Sequence, residues 1–259
     1  MRVAILSDIH GNSIALNAVL SDIETQGGAE AYWLVGDLAA MGPDPVGVMQ
    51  RLQLLPNRQM VRGNTDRWLM NVQAELSAAA LQEFISKPDS LATALMLRYA
   101  MVWAQGALSA GGYLGQIAAL PLDYRCQLED GTRVLCVHAS PGQDDGEGIR
   151  PIMSDTQIAA TIDGAAADLI FVGHTHVALD RTVNRVRVVN LGSISLQPAP
   201  DLRASYVMLE SDARGYRLRH CQVPYEHQRV VNQVNALGHP AAAIITAFMT
   251  GKRKPVWES

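Results

Sequence analysis

The chain has 259 residues, of which 48% are hydrophobic, and its formal net charge is −4 at pH 7. The length suffices for one large domain with a core of its own, and the mild acidity disfavours nucleic acid as a bulk partner. No apolar run approaches membrane length, the three cysteines are isolated, and the start runs directly into a strand pattern without a cleavage site. We therefore expect a cytoplasmic chain without a signal peptide or a membrane span.

The first predicted strand, Arg2 to Leu6, is a short apolar run that ends just before Asp8. Apolar residues at helical spacing over 13–23, closed by a Gly-Gly pair, predict a helix. The next apolar run, Ala31 to Val35, predicts a second strand, and the strand–helix–strand order predicts a parallel crossover. Asp37, which follows the second strand, should therefore lie at the same sheet edge as Asp8.

A further helix over about 45–54 precedes Arg58 to Val61, which we interpret as a third strand that ends before Gly63-Asn64. From 67 to 120 the composition becomes rich in Ala, Leu and Met, and this predicts an inserted, all-helical segment. The segment could form a lid over the sheet edge or cover one face of the sheet, and the sequence leaves both alternatives open.

An Asp-Gly pair at 130–131 between two alternating runs is typical of a β-hairpin, and the second of these strands ends at His138. A buried strand over 168–172 then ends before Gly173, so that His174 and His176 also follow a strand. The remaining predicted elements are strands over 178–183, 186–189, 204–210 and 216–222 and a C-terminal helical tail over 224–259.

Seven polar residues follow the ends of predicted strands, where the loops of an open α/β sheet converge on one crevice. They are Asp8, His10, Asp37, Asn64, His138, His174 and His176. Carboxylate, imidazole and amide ligands suit Mn, Fe, Zn, Ni or Co better than Ca. Seven ligands exceed one tetrahedral site and fit two cations about 3.5 to 4 Å apart, bridged by a carboxylate and with a hydroxide between them.

The order of these motifs resembles the calcineurin-like metallophosphoesterase superfamily, and in particular its small bacterial and archaeal phosphodiesterase branch. The matching motifs, within about residues 1–195, are Asp8-x-His10, Gly36-Asp37, Gly63-Asn64, His138 and Gly173-His174-x-His176. The resemblance implies an α/β fold of two stacked mixed β-sheets flanked by helices. We expect a single domain over 1–259, with a helical insertion over 67–120 as a candidate lid and the tail over 224–259.

The resemblance also implies how two divalent metal ions, of which Mn is favoured, would share the ligands. The first ion would be bound by Asp8, His10, Asp37 and His176, and the second by Asp37, Asn64, His138 and His174. Asp37 would bridge the two ions, and we expect Asp37, Asn64 and His174 to be the catalytic residues. A metal-bound hydroxide would attack phosphorus while the two cations polarise the phosphoryl oxygens.

The motif around Thr65 departs from the family pattern, because many members have a histidine there that is thought to protonate the leaving group. A threonine cannot donate a proton usefully near neutral pH. The sequence therefore predicts a phosphoric ester hydrolase that acts on a small-molecule phosphodiester. The alternatives are a protein phosphatase or dinucleoside polyphosphate hydrolase of the same fold, and a non-catalytic scaffold that retains the fold.

Three more residues beside the motifs have two interpretations each. Asn12 could contact a substrate oxygen or cap the following helix, and Arg62 could bind a substrate phosphate or form a surface ion pair. Asp66 could orient the Asn64 loop or cap a helix. The apolar insertion and tail could also form a homo-oligomer interface. We interpret the histidines outside the motifs as surface or packing residues: His220, His227 and His239.

Overall fold

The computed structural model of the protein describes residues 1–72 and 88–254. Its strands are β1 (Arg2–Leu6), β2 (Ala31–Val35), β3 (Arg58–Val61), β4 (Asp123–Gln127), β5 (Arg133–Val137), β6 (Leu169–Val172), β7 (Leu179–Val183), β8 (Val186–Asn190), β9 (Ala204–Asp212) and β10 (Gly215–Val223). The helices in these ranges are α1 (Ser13–Thr25), α2 (Pro45–Gln53), α3 (Asn64–Trp68), α4 (Pro88–Ala110), α5 (Leu114–Ala118), α6 (Asp155–Thr161), α7 (His227–Ala236) and α8 (Ala242–Met249).

The strands form two five-stranded sheets, with the orders β10-β9-β1-β2-β3 and β4-β5-β6-β8-β7. In the first sheet β1, β2 and β3 run parallel, β9 pairs antiparallel with β1, and β10 pairs antiparallel with β9. In the second sheet β5, β6 and β8 run parallel, between the antiparallel edge strands β4 and β7. Both sheets are thus mixed, which confirms the predicted fold class and places the carboxyl ends of the parallel strands at one edge.

The strands β1, β2 and β6 are buried on both faces, which is why they read as continuous apolar runs in the sequence. Between the sheets, Ile5 and Trp33 of the first sheet pack with Cys136 and Phe171 of the second. The rings of Trp33 and Phe171 meet edge to face, with their centroids 6.2 Å apart. We expect truncation of Phe171 to alanine to lower the free energy of unfolding by about 3 to 5 kcal/mol.

Within the predicted insertion, the described helices α4 and α5 pack on the outer face of the first sheet. Met101, Ala104 and Leu108 of α4 belong to the same apolar cluster as Leu16 of α1 and Met49 of α2. Residues 73–87 of the insertion lie outside the described residues, and lid movement stays a prediction. No helix in the described ranges is long and apolar enough to cross a membrane.

The C-terminal helices α7 and α8 form a separate apolar cluster. Val230, Val234 and Ile245 pack there with Ala100 of α4 and with Leu196, which lies in the loop after β8. The two helices are separated by a short segment that contains Gly238-His239-Pro240. The tail is therefore fixed both to the insertion and to a loop that reaches the carboxyl edge of the sheets.

Candidate metal centre

The ends of five strands bring the seven predicted ligands together. Oδ1 of Asp8 lies 3.1 Å from Nε2 of His176 and 3.7 Å from Nε2 of His10. The same oxygen lies 4.0 Å from Nε2 of His138. Three imidazoles from different parts of the chain thus face one carboxylate oxygen at the carboxyl edge of the sheets.

Asp37 lies between two groups of ligands, as a bridging carboxylate would. Its Oδ2 is 3.6 Å from Nε2 of His10, whereas its Oδ1 is 3.5 Å from Nε2 of His138. Oδ1 of Asn64 is 3.2 Å from Nε2 of His138 and 3.2 Å from Nδ1 of His174. The division of the seven ligands between two ions, with Asp37 shared, stays a prediction.

The residues present fit a pair of divalent cations. Two groups of donor atoms, each within 4.8 Å of one another, could bind a metal ion: Asp8 with His10 and His176, and Asp8 with Asp37 and His138. Oδ1 of Asp8 is fully buried and has no hydrogen-bond partner among residues 1–72 and 88–254. A buried carboxylate oxygen without a partner is strongly unfavourable, and a cation bound among these ligands would relieve that penalty.

Three of the four imidazoles in the cluster contact a backbone carbonyl through their other ring nitrogen. The pairs are His138 Nδ1 with Val35 at 2.8 Å, His174 Nε2 with Gly146 at 2.8 Å and His176 Nδ1 with Leu196 at 2.9 Å. Because a carbonyl only accepts, the ring nitrogen must donate, so in the neutral imidazole the opposite nitrogen has its lone pair available for a metal. No sequence motif marks these partners, since any residue supplies a carbonyl.

Five of the ligands adopt left-handed backbone conformations that are unusual outside glycine. They are Asp8 (φ 55°), His10 (φ 46°), Asp37 (φ 53°), His174 (φ 66°) and His176 (φ 61°). Each such residue costs about 1 kcal/mol or more, and Asp and His tolerate the region better than most residues do. Strain concentrated on the ligands is typical of a functional site, because a sharp turn directs each side chain inward from its strand end.

Two glycines in the motifs allow strand ends to approach each other closely. A Cβ at Gly63 would come within 2.1 Å of Oδ1 of Asp37. At Gly173 it would come within 2.1 Å of Oγ of Ser7 and 2.3 Å of Oδ2 of Asp8. These contacts give the physical reason for glycine before Asn64 and before His174: any side chain would displace a ligand or the group that holds it.

Hydrogen bonds fix both carboxylates of the cluster. The backbone N–H of His174 donates to Oδ2 of Asp8 at 3.1 Å, and the Ser7 hydroxyl lies 2.6 Å from the same oxygen. The backbone N–H of Thr65 donates to Oδ1 of Asp37 at 2.9 Å. Thr65 therefore positions the Asp37 carboxylate through its backbone N–H.

The charges of the cluster shift the pKa values of its members strongly. Burial raises the pKa of Asp8, but the facing His176 and His138 outweigh it and hold that pKa well below its ordinary range. Burial lowers the pKa of His138, but the carboxylates of Asp37 and Asp8 outweigh it and raise the pKa to about 10. Without a cation, the carboxylates thus favour a proton on His138, and metal binding would release that proton.

Asp66 serves both of the roles that the sequence leaves open. Its Oδ2 accepts from the backbone N–H of Gly63 at 2.9 Å and so caps α3, while its Oδ1 accepts from the backbone N–H of Leu38 at 3.1 Å. Burial and the charge of Asp37 raise its pKa to about 7, against the effect of these two hydrogen bonds. One carboxyl group thus joins the loops that carry Asp37 and Asn64.

The two predicted substrate contacts are engaged within the protein. Asn12 is buried, caps α1 by accepting from the backbone N–H of Ala15 at 3.0 Å, and donates to Oγ of Ser195 at 3.1 Å. Nε of Arg62 donates to Oδ2 of Asp144 at 2.7 Å. Each residue has the structural role that was its alternative interpretation, and a substrate contact stays a prediction for both.

A cavity of about 360 Å³ lies directly beside the cluster, and His174 and His176 form part of its wall. Leu196, Pro198, Arg150, Phe248 and Lys254 are among the other residues that line it. Sequence reasoning missed this wall, because none of these residues follows a strand-end motif.

A family model described as the calcineurin-like phosphoesterase superfamily domain matches residues 1–214. An uncharacterised protein of Methanocaldococcus jannaschii is 24% identical over 249 residues, which are 90% of this chain and 91% of that protein. The crystal structure of a metallophosphoesterase from Sphaerobacter thermophilus is similar with a TM-score of 0.75 at 26% identity, over 97% of this chain and 98% of that one. These matches confirm the resemblance that the motifs indicate.

A symmetrical bis(5'-nucleosyl)-tetraphosphatase of Pectobacterium atrosepticum is 32% identical to this chain over 95 residues. The matched segment is 35% of this chain and 34% of the tetraphosphatase. The chain thus matches about a third of that relative's length, so the similarity is local.

Proposed function

Since this chain belongs to the calcineurin-like phosphoesterase superfamily, we propose that it hydrolyses small phosphodiesters with two divalent cations, preferably Mn²⁺. The position of Asp37 carries the proposal, because its two oxygens face His10 and His138 at 3.6 and 3.5 Å. When bound, such cations polarise phosphoryl oxygens and lower the pKa of a coordinated water. The first ion would be held by Asp8, His10, Asp37 and His176, and the second by Asp37, Asn64, His138 and His174.

The protein's own residues hold the ligand set in place before a substrate arrives. The carbonyls of Val35, Gly146 and Leu196 fix the imidazole rings of the cluster. The backbone N–H of Thr65 fixes Asp37, which keeps both of its oxygens directed to the two ligand groups. Such preorganisation reduces the rearrangement that is needed in the transition state.

The preference for diesters is supported by the residue at position 65. The hydroxyl of Thr65 is buried and has no hydrogen-bond partner in the part of the chain that the structure describes, and a hydroxyl cannot act as a general acid near neutral pH. Esters with good leaving groups need no such acid, so aryl diesters and activated aryl esters, which lose a phenolate, should react faster than alkyl monoesters, which lose an alkoxide. A scaffold role is disfavoured, because all seven ligand positions carry competent metal ligands.

Hydrolysis of dinucleoside polyphosphates is a second candidate, and one observation favours it: the local similarity to the tetraphosphatase at 32% identity over 95 residues. Such substrates also contain phosphoryl bonds with good leaving groups, so the ligand set suits both reactions. A protein phosphatase is the weaker alternative, because Thr65 lacks the proton donor that alkyl monoesters need.

The test uses metal-stripped protein with bis(p-nitrophenyl) phosphate, p-nitrophenyl phosphate, glycerol phosphate and diadenosine tetraphosphate. Each substrate is assayed with Mn²⁺, Ni²⁺, Co²⁺, Zn²⁺ or Mg²⁺ added in turn. We expect metal-restored turnover that favours bis(p-nitrophenyl) phosphate, and its loss in Asp37→Asn. Asp168→Asn is the matched control, because Asp168 is an exposed carboxylate paired with Arg133. Fast hydrolysis of glycerol phosphate, or full activity in Asp37→Asn, would contradict the proposal.

A further inference from the structure

The cavity beside the ligand cluster is closed by a part of the chain that lies after the region matched by the family model. That match ends at residue 214, whereas Phe248 lies in α8 and Lys254 follows that helix. Both line the same cavity as His174 and His176. The C-terminal tail therefore contributes directly to the space next to the candidate metal centre.

The tail is anchored to the loop that orients a ligand. The backbone N–H of Ala199 donates to the carbonyl of Arg253 at 2.9 Å, and the hydroxyl of Tyr225 donates to the carbonyl of Ser195 at 2.9 Å. Leu196, whose carbonyl accepts from His176, packs in the apolar cluster of α7 and α8. Phe248 is thus held at a fixed place relative to His176.

The wall that the tail completes has an apolar part and a cationic part. Leu196, Pro198 and Phe248 form the apolar part, and Arg150 and Lys254 form the cationic part. Arg150 is paired at 2.7 Å with Glu147, which also lines the cavity. Lys254 is exposed at the rim of the cavity and has no ion pair among the residues that the structure describes. An aromatic ring with a cation nearby suits a planar group that carries negative charge.

We propose that Phe248 and Lys254 determine the specificity of the proposed phosphodiesterase by binding the non-reacting group of the diester. That group would contain an aromatic ring, which packs on Phe248, Leu196 and Pro198, and an anionic substituent, which pairs with Lys254. The inference rests on the proposed function. The cavity of about 360 Å³ is large enough for this class of group, since small-molecule pockets begin at about 300 Å³.

The test uses three diesters that share one leaving group, p-nitrophenolate, and differ only in the group that stays on phosphorus. They are methyl, phenyl and 4-carboxyphenyl p-nitrophenyl phosphate. The full chain, loaded with the metal that restores most activity, is assayed for kcat and KM with each diester. We expect kcat/KM to rise from the methyl to the phenyl to the carboxyphenyl ester, with most of the difference in KM, because the group binds without reacting.

Substitutions at Phe248 and Lys254 show which side chain produces the preference for the aromatic ring and which the preference for the carboxylate. Phe248→Ala should reduce the phenyl-to-methyl ratio of kcat/KM about fivefold, and Phe248→Tyr, which keeps the ring, should retain most of that ratio. Lys254→Ala should reduce the carboxyphenyl-to-phenyl ratio about threefold, because the pair is exposed to solvent. Leu237→Ala, at an exposed position after α7, is the control and should leave both ratios at the wild-type values.

Two failures are distinguishable in this experiment. If wild-type protein hydrolyses the three diesters with metal, but the ratios in Phe248→Ala and Lys254→Ala equal those of wild type, the specificity inference is wrong and the proposed function stands. If wild-type protein hydrolyses none of the diesters with any metal, the proposed function is wrong, and the inference that rests on it is wrong as well. Circular dichroism and thermal unfolding verify that each variant is folded.

Discussion

The ligand cluster and the tail that closes its cavity hold their residues in opposite ways. Asp8 and Asp37 adopt left-handed backbone conformations, and strand ends approach so closely at Gly63 and Gly173 that no Cβ fits. The helices α7 and α8 are instead held by ordinary apolar packing around Val230. The cluster therefore tolerates little change, whereas the tail can vary with modest effects, as expected where one fold serves several substrates.

The largest expected effect is at Gly173, where alanine would place a Cβ within 2.3 Å of Asp8 and Ser7. We expect Gly173→Ala to lower metal-dependent turnover at least 100-fold and the free energy of unfolding by about 2 to 3 kcal/mol, because a buried ligand must shift. Metal content, turnover and thermal unfolding check this. A variant that keeps its metal stoichiometry and activity would show that the close approach at this glycine is not required.

Much of the cluster could be predicted from the sequence, because each ligand lies just after the end of a short apolar strand, and four of them directly follow a serine or glycine: Asp8, Asp37, Asn64 and His174. The continuous apolar runs of β1 and β2 predict their burial, and their parallel order places Asp8 and Asp37 at one edge. The carbonyls of Gly146 and Leu196 could not be predicted, since backbone groups carry no sequence signature. Phe248 and its neighbours in the cavity wall could not be predicted either, because helical spacing does not reveal which loop a helix contacts.

The second prediction concerns acid sensitivity in the tail, where His239 is buried between α7 and α8. Its Nδ1 accepts from the backbone N–H of Ala241 at 3.2 Å, and its ring meets Trp103 of α4 edge to face at 4.6 Å between centroids. Burial lowers its pKa to about 4, whereas an unfolded histidine has a pKa near 6.5. The unfolded state therefore binds the proton first, and stability should fall as the pH drops from about 6.5 to 4.

The comparison of wild type with His239→Gln isolates this effect, because protonation of the ligand histidines is common to both proteins. Over the same pH range, wild type should lose up to about 3 kcal/mol more stability than the variant. Urea unfolding of metal-free protein at pH 7.5, 5.5 and 4.5 measures the difference. Parallel pH profiles for the two proteins would mean that His239 is charged in the folded state.

A smaller effect is expected at Asp66, which joins the two loops of the cluster. In Asp66→Asn one oxygen can still accept, but the amide nitrogen faces the backbone N–H of Gly63 or Leu38. A buried N–H without a partner costs about 1 to 3 kcal/mol, and the Asn64 loop should hold its metal less tightly. We expect lower stability and a higher metal concentration for half-maximal turnover. Normal metal dependence would show that Asp66 only caps α3.

The smallest effect is expected in the helical insertion, at the exposed Gly106 of α4, where an added Cβ meets nothing within 4 Å. Gly106→Ala should raise the free energy of unfolding by about 0.5 to 1 kcal/mol, because alanine favours the helix, and should leave metal-dependent turnover unchanged. Gly173→Ala should instead lower the free energy of unfolding. The two glycine-to-alanine variants together therefore compare how well the helical insertion and the ligand cluster tolerate an added methyl group. Slower turnover in Gly106→Ala, at unchanged metal affinity, would instead indicate that α4 moves during the reaction, as a lid does.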